Sequence, residues 1–367
     1  MQDFGFDKKL GFGCMRLPLK IGVDIKQTSK MVDAFMDAGF NYFDTAHGYL
    51  LGRSEVAVRK CLTSRYPRDK YLLTNKLTGN YFKKQDDIRP FFAKQLKACG
   101  VDYFDFYLMH AQNEELFEHF KRCQAYETAL ELKAEGKIKH FGISFHDRAE
   151  VLEKILTEYP EVEVVQIQYN YLDYNDSAVQ SKRVYDVCAK FDKPVIVMEP
   201  VKGGSLVKLP DDALNVIKES GISPAALALR FAASPENVVM VLSGMSSLEQ
   251  MNDNLSIMSD FKPLNGDEYD LIEKVVRVMK QKDMIACTAC RYCVEGCPKN
   301  ISIPDLFSCM NAKKHFHNWN ADYYYKTVYT KNNGRAKDCI GCGKCEKVCP
   351  QKLPIRELLK QVSKSFD

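Results

Sequence analysis

The 367-residue sequence predicts an α/β protein, a (β/α)8 barrel followed by a small cysteine-rich domain. Short apolar segments alternate eight times with segments of helical spacing over about 250 residues, which is the pattern and the size of a TIM barrel. After residue 286, one spacing of four cysteines occurs twice. A doubly wound sheet is the alternative, but it gives no reason for chemically competent side chains at the ends of so many strands.

The predicted strands include continuous apolar runs, as expected for parallel strands that are buried on both faces. The first strand is expected at 10–17 with a turn at Pro18, and its Gly-x-Gly lacks the third glycine of a dinucleotide fingerprint. The other strands are predicted at 40–46, 71–76, 103–110, 138–144, 162–169, 194–199 and 238–243. The helices are predicted at 27–38, 54–61, 86–98, 120–135, 148–158, 177–191, 223–233 and 247–258.

The composition is that of an ordinary soluble globular protein, with 46% hydrophobic and 27% charged residues. No apolar run approaches the length that a membrane span needs. The N-terminus carries Asp3, Asp7 and Lys8, where a signal peptide would be apolar. A cytoplasmic protein without a membrane partner is therefore expected.

Eight of the 14 cysteines fall in two blocks with the same spacing, C-x2-C-x2-C-x3-C-P. The blocks are Cys287, Cys290, Cys293 and Cys297, and Cys339, Cys342, Cys345 and Cys349. Disulfide pairing would not require one block twice, and a cytoplasmic location argues against it. Zinc sites normally use paired cysteines, whereas a run of three with a displaced fourth before proline favours iron–sulfur clusters.

The charge distribution gives no support for a nucleic-acid partner. From residue 280 onward there are 16 Lys and Arg against 8 Asp and Glu, whereas the rest of the chain has 36 against 40. A basic segment is one sign of nucleic-acid binding. That count treats the cysteines as neutral, and negatively charged clusters with their thiolates would offset much of the excess. No nucleic-acid partner is expected.

Three consecutive predicted strands end on residues that can take part in proton transfer. Asp44 ends the second strand, and Tyr49 follows in its loop. Lys76 ends the third strand and His110 the fourth. Active sites of such barrels form at the carboxyl ends of the strands.

Carbonyl reduction needs this set of groups, because hydride transfer leaves an alkoxide that must receive a proton. Tyr49 would supply that proton, and the cation of Lys76 is expected to lower the pKa of the phenol. Asp44 would hold Lys76 in place, and His110 would orient the carbonyl. Taken singly, each residue has an ordinary explanation as a cap, an ion pair, packing or a core histidine. Together and in this order they resemble the catalytic tetrad of the aldo/keto reductase family.

The same resemblance implies positions for a nicotinamide cofactor. Ser144 and Gln166 match the positions that hold the nicotinamide carboxamide, and Met198 the position of an aromatic that stacks on the ring. The other implied cofactor residues lie in the first predicted strand or after the eighth and are Gly13, Met15, Gly244, Ser246, Gln250 and Asn254. Backbone amides at the start of the last predicted helix suit a phosphate.

Departures from the family pattern leave the choice of cofactor open. Phe145 stands where the family usually has Asn, and Met198 replaces the usual aromatic. Gly244 and Gln250 stand where NADPH-specific members place cations for the 2′-phosphate, which prefers Arg or Lys. Either NADPH or NADH is therefore expected.

The doubled cysteine blocks resemble the bacterial ferredoxin arrangement with two [4Fe–4S] clusters, in which the fourth cysteine of each block crosses to the other cluster. The resemblance implies one cluster on Cys287, Cys290, Cys293 and Cys349, and a second on Cys339, Cys342, Cys345 and Cys297.

The predicted division of the chain is a barrel at 1–262, a linking helix at 263–282 and a ferredoxin-like, helix-rich domain at 283–367. The whole chain is similar to the ferredoxin-domain-containing aldo/keto reductases of anaerobic prokaryotes.

The expected activity is NAD(P)H-dependent reduction of an aldehyde or ketone, or the reverse alcohol oxidation. The substrate is expected to be a small carbonyl compound or alcohol, and a redox partner protein is a further expectation. Two alternatives remain open. The barrel site could be coupled to ferredoxin-type electron transfer, or the chain could be an electron-transfer or sensing protein with a vestigial barrel, against which the complete tetrad argues.

Overall fold

The computed structural model describes residues 4–147, 149–175, 180–280, 284–315, 321–330 and 333–367. By their backbone contacts they form two compact units. The first contains residues 4–147, 149–175, 180–200 and 228–264, and the second contains residues 201–227, 265–280, 284–315, 321–330 and 333–367. The predicted division into three segments stays a prediction, and its boundary at 282–283 lies outside the described residues.

The first unit contains the predicted barrel of eight parallel strands, closed by pairing of the first strand with the eighth. Each strand is paired with its sequence neighbours along the barrel, in the order 1-2-3-4-5-6-7-8. The strands are Leu10–Gly13, Tyr42–Asp44, Leu72–Leu77, Phe104–Gln112, Ile138–Phe145, Val164–Gln168, Val195–Met198 and Val238–Ser243. A short antiparallel hairpin, Leu19–Lys20 with Gly22–Val23, follows the first strand.

The helices between the strands follow the predicted order, except that one predicted helix is divided in two and that the helix Asp211–Lys218 was not predicted. Those up to the end of the barrel are Ile25–Asp37, Arg53–Val58, Ile88–Cys99, Glu114–Arg122, Ala125–Ala134, Ala149–Glu158, Ser181–Lys190, Asp211–Lys218, Pro224–Ala233 and Leu248–Ser259. The single helix predicted at 120–135 is wrong, because Gln124 adopts a left-handed conformation (φ 50°) that separates two helices. The first strand is shorter than predicted, since the chain turns at Cys14–Arg16 into a 3-10 helix.

The barrel interior is a packed core, as in other barrels of this kind. Buried side chains from several strands meet in one cluster that includes Tyr42, Phe106 and Ile196, and Phe4 near the N-terminus packs against it. Gly11 allows a close approach of neighbouring side chains, because a Cβ there would lie 2.7 Å from side-chain atoms of Leu242 and Tyr42. The functional groups are therefore confined to the strand ends.

The second unit is helical in its described part. Its helices include Gly266–Lys280, Tyr292–Glu295, Ile303–His315, Ala321–Tyr323, Lys344–Lys347 and Ile355–Phe366. Phe307, Tyr325 and Phe366 belong to its buried core, and cysteines of both blocks pack against that core. Among the helices described, none is both long and apolar enough to cross a lipid bilayer.

Candidate active site

The side chain of Lys76 is the centre of a buried polar cluster at the carboxyl ends of the barrel strands. Lys76 is fully buried in the third strand. Its Nζ donates to Oδ1 of Asp44 at 2.5 Å, to the carbonyl of Thr45 at 3.1 Å and to the hydroxyl of Tyr49 at 3.1 Å. Asp44 ends the adjacent parallel strand, so the pairing of two strands brings both charges to one edge.

Tyr49 and His110 lie side by side next to this lysine. Tyr49 begins a 3-10 turn, Tyr49–Gly52, just beyond the second strand. Its ring centroid is 5.9 Å from that of His110, with the planes nearly perpendicular. Nδ1 of His110 is 2.7 Å from Oγ1 of Thr78. The structure thus brings all four predicted residues together, with two ring-borne polar groups close enough to reach one substrate oxygen.

His110 is held in its neutral form. Burial lowers its pKa well below the ordinary 6.5, and the positive charge of Lys76 and neighbouring His146 lower it further. A neutral imidazole carries one N–H group and can donate a hydrogen bond without adding charge to the site.

The expected lowering of the pKa of Tyr49 is wrong for this structure. Burial raises it well above 10, the carboxylate of Asp44 raises it further, and Arg16 only partly opposes them. Burial likewise lowers the pKa of Lys76, against the opposing effect of Asp44. The phenol is therefore fully protonated at rest, which is the form that a proton donor needs.

Two predicted cofactor residues face the same cluster. Gln166 donates from Nε2 to Oδ2 of Asp44 at 3.0 Å, so its carbonyl oxygen is left to accept from another group. Oγ of Ser144 accepts the backbone N–H of Ala111 at 2.7 Å, where the backbone is left-handed (φ 56°). Side-chain amide and hydroxyl groups of this kind fit a carboxamide, which needs both donors and acceptors.

The loop after the eighth strand is tied to the turn after the first. Oγ of Ser246 donates to the carbonyl of Arg16 at 2.7 Å, and the backbone N–H of Ser246 donates to Oε1 of Gln250 at 2.8 Å. Asn254 donates to Oγ of Ser243 at 2.6 Å. Ser247 caps the helix that follows. A helix start with a positive dipole end is a fitting place for a phosphate of a dinucleotide.

The remaining predicted cofactor residues lie at the ends of strands that flank this loop. Gly13 ends the first strand, and a Cβ there would be 3.3 Å from the carbonyl oxygen of Ser243. A Cβ at Gly244 would be 3.6 Å from side-chain atoms of Arg16. Met15, in the turn after the first strand, and Met198, at the end of the seventh, are half-buried. All these positions belong to one rim of the barrel.

Sequence reasoning missed an ion pair at this rim. Nη2 of Arg16 is 3.3 Å from Oε1 of Glu199. Both charges influence the pKa of Tyr49, so they lie within electrostatic range of its hydroxyl. Glu199 has a left-handed backbone (φ 58°), and its buried Oε2 has no hydrogen-bond partner among the described residues. Such strain clusters at functional sites. The two residues are 183 positions apart, so no local pattern pointed to the pair.

His146, also missed, is half-buried within electrostatic range of His110, and its protonation is expected to destabilise the fold at acid pH. Burial lowers its pKa from 6.5 to about 4, with Gln168 only partly opposing this. Between those pH values the unfolded chain binds the proton and the folded chain does not, so stability falls with falling pH, by about 3 kcal/mol at the lower end. We expect His146→Gln to lose less stability than the wild type in urea unfolding measured from pH 6.5 to 4, while the contribution of His110 remains. If the free energies of unfolding of the two proteins differed by the same amount at every pH in that range, the lowered pKa of His146 would be contradicted.

The cysteines of the two blocks intermix in the second unit. One cavity is lined by Cys297 of the first block together with Cys339, Cys342 and Cys345 of the second. Burial raises the pKa of Cys293, and so do the nearby thiols of Cys290 and Cys287 in its own block and of Cys349 and Cys345 in the other. The two blocks therefore lie close together, as a crossed ligand set requires, and the assignment of each thiol to a cluster stays a prediction.

Backbone amides around the cysteines fit a cluster. Ala289 donates its N–H to Sγ of Cys287 at 3.4 Å, and Ile301 donates to Sγ of Cys297 at the same distance. N–H groups of residues 351–353 point to Cys349 and help to lower its pKa, against burial. In the residues described, no three Cys, His, Asp or Glu side chains are close enough for a single ion. A four-iron cluster instead joins four thiolates through separate irons.

Both the barrel segment and the cysteine-rich segment of the chain match known protein families. Residues 9–277 match the aldo/keto reductase family, and residues 286–353 match the 4Fe-4S dicluster domain. The NADH-specific methylglyoxal reductase of Escherichia coli (strain K12) is 25% identical over 62% of this chain and 82% of its own length. An aldo-keto reductase of Mycobacterium avium is 26% identical over 68% of this chain and 81% of its own length.

Solved structures show the same barrel. The holo form of an aldo-keto reductase from Bacillus halodurans superposes with a TM-score of 0.60 at 27% identity, covering 73% of this chain and 91% of that one. An aldo-keto reductase from Klebsiella pneumoniae shares the fold, with a TM-score of 0.61 at 21% identity over 73% of this chain and 90% of that one. The chain therefore belongs to the aldo/keto reductase family and carries a C-terminal 4Fe-4S dicluster domain.

Proposed function

We propose that this protein reduces an aldehyde or ketone with NADH or NADPH, or runs the reverse alcohol oxidation, at the site around Lys76. The observation that carries the proposal is the fully buried Lys76, which donates to both Asp44 and Tyr49. Burying a cation between a carboxylate and a phenol costs desolvation free energy, and such buried charged groups are concentrated at functional sites.

A nicotinamide held at this site would supply the hydride for the carbonyl carbon. Tyr49 gives its proton to the carbonyl oxygen as negative charge develops there, and it regains a proton from solvent. Lys76, 3.1 Å from the phenol oxygen, stabilises the negative charge left on Tyr49, and Asp44 holds the lysine in position. The high pKa of the resting phenol makes this lysine contact essential, because the proton must leave an oxygen that binds it tightly.

His110 and the nearby amides position the reactants. Neutral His110 donates to the carbonyl oxygen and directs it towards Tyr49. Ser144 and Gln166 would hold the carboxamide, and Met198 would pack against the nicotinamide ring. Gly13, Met15, Gly244, Ser246, Gln250 and Asn254 would line the rest of the cofactor site. With Gly244 and Gln250 in place of cations, the 2′-phosphate of NADPH has little support, whereas the E. coli relative is NADH-specific.

The eight block cysteines would hold two [4Fe–4S] clusters, each with three ligands from one block and one from the other. The dicluster domain also favours a second candidate function, in which electrons pass between the clusters and a partner protein. Hydride reduction of a carbonyl does not itself require iron, so in the first function the clusters are structural or regulatory.

The two functions differ in what happens to the iron. We would mix anaerobically purified protein with NADH or NADPH and a panel of aldehydes and ketones, and follow nicotinamide and cluster absorbance together. Carbonyl-dependent loss of reduced nicotinamide with unchanged clusters supports the reductase. Cluster bleaching without any carbonyl supports the electron-transfer function and contradicts a purely structural role for the iron.

A further inference from the structure

A buried lysine lies in the second unit, just beyond the seventh barrel strand in the sequence. Lys202 is 1% exposed and has a left-handed backbone (φ 47°). Its Nζ donates to Oε1 of Gln351 at 3.1 Å, across 149 residues of sequence. Burying a lysine cation is costly, and strained backbone persists only where surrounding contacts impose it.

The contact with Lys202 fixes the orientation of the Gln351 amide. An ammonium group only donates, so the amide atom that faces it must be the oxygen. The other end, Nε2, is therefore an N–H donor. This atom is buried and has no hydrogen-bond partner among the residues that the structure describes. An unpaired buried donor costs about 1–3 kcal/mol, so an acceptor is expected there.

Both partners adjoin the predicted ligands of one cluster. Gln351 is the second residue after Cys349, and its backbone N–H already points to that thiol. Gly203, next to Lys202, packs on the residue after Cys287, since a Cβ at Gly203 would be 2.5 Å from the carbonyl oxygen of Thr288. Cys287 and Cys349 belong to the same crossed ligand set.

We propose that Lys202 and Gln351 act as a dyad that raises the reduction potential of the cluster bound by Cys287, Cys290, Cys293 and Cys349. The inference rests on the ligand set proposed above. When the cluster takes up one electron its negative charge grows by one, and a nearby cation and an N–H donor to a sulfur both favour that form. Lys202 acts partly through its own charge and partly by holding the amide with its N–H groups available.

The test is a redox titration of the full-length holoprotein, followed by electron paramagnetic resonance under anaerobic conditions. Gln351→Leu removes the N–H donor and keeps the cation, whereas Lys202→Met removes the cation. We expect each variant to shift the reduction equilibrium of this cluster about tenfold towards the oxidised form. For one electron this lowers the reduction potential by about 59 mV. In the double variant the reduction potential should change by less than the sum of the changes in the two single variants, because the two residues act together. Lys208→Met, an exposed lysine of the same segment, is the matched control and should leave the potential unchanged.

Iron and sulfide content separate failure of the dyad from failure of the ligand assignment. Variants with two full clusters and the wild-type potential would overturn the dyad and leave the ligand set intact. If Lys202→Met lost iron but Gln351→Leu did not, the potential of the Gln351→Leu variant would decide: a lowered value supports the dyad, and an unchanged value overturns it. Loss of iron in both would overturn the tuning role in favour of a purely structural one. The other cluster serves as an internal reference, and its potential should not move.

Discussion

Tyr49→Phe is expected to lower kcat for carbonyl reduction by roughly 10²–10⁴-fold, the usual contribution of a general acid. The substitution removes only the hydroxyl that Lys76 contacts at 3.1 Å and leaves the ring against His110. Nicotinamide binding and cluster absorbance should stay at wild-type levels, because neither is proposed to depend on this hydroxyl. Steady-state kinetics with cofactor fluorescence titration provide the measurement.

The matched control for this experiment is Tyr171→Phe. Tyr171 is also buried, and its hydroxyl has no hydrogen-bond partner among the described residues. Its removal should leave kcat within a small factor of wild type. Full turnover in Tyr49→Phe would show that another group protonates the carbonyl and would remove Tyr49 from the proposed mechanism.

Cys297→Ala is expected to remove one whole cluster, the one assigned to the second block. The cavity that Cys297 shares with Cys339, Cys342 and Cys345 would lose its fourth thiolate, so one iron would lack a protein ligand. Iron and sulfide content should fall by about half relative to wild type. Cys309→Ala, a buried cysteine outside both blocks, should keep both clusters.

Double variants decide between crossed and uncrossed ligand sets. In the crossed arrangement Cys297 and Cys345 serve the same cluster, so replacing both by alanine should cost no more iron than Cys297→Ala alone. Replacing Cys293 and Cys297 together should remove both clusters. If each block instead held its own cluster, the two double variants would give the opposite results.

The barrel and its four central residues were predictable because the signals are local. Strand ends can be located from the alternation of apolar and helical segments, and Asp44, Lys76 and His110 each lie at or near such an end. Parallel strand order then places them at one rim. The exact end of the first strand at Gly13 was not predictable, since the turn that follows depends on contacts with the loop after the eighth strand.

Properties that depend on distant contacts could not be predicted. The direction of the pKa shift of Tyr49 is set by burial and then by the carboxylate of Asp44, which Arg16 only partly opposes. The pairs Arg16–Glu199 and Lys202–Gln351 join residues far apart in the chain, and neither has a motif. The sequence around Lys202 contains no pattern that predicts its burial.

The central claim is that hydride passes directly from the nicotinamide to a carbonyl carbon beside Tyr49. The most direct measurement supplies NADH or NADPH deuterated at C4, separately on each face, with an aldehyde or ketone that the enzyme turns over. The account predicts one deuterium on the carbinol carbon of the alcohol product from one face of the cofactor, with cluster absorbance unchanged. A product that carries only solvent hydrogen at that carbon, with the clusters bleached during turnover, would contradict it.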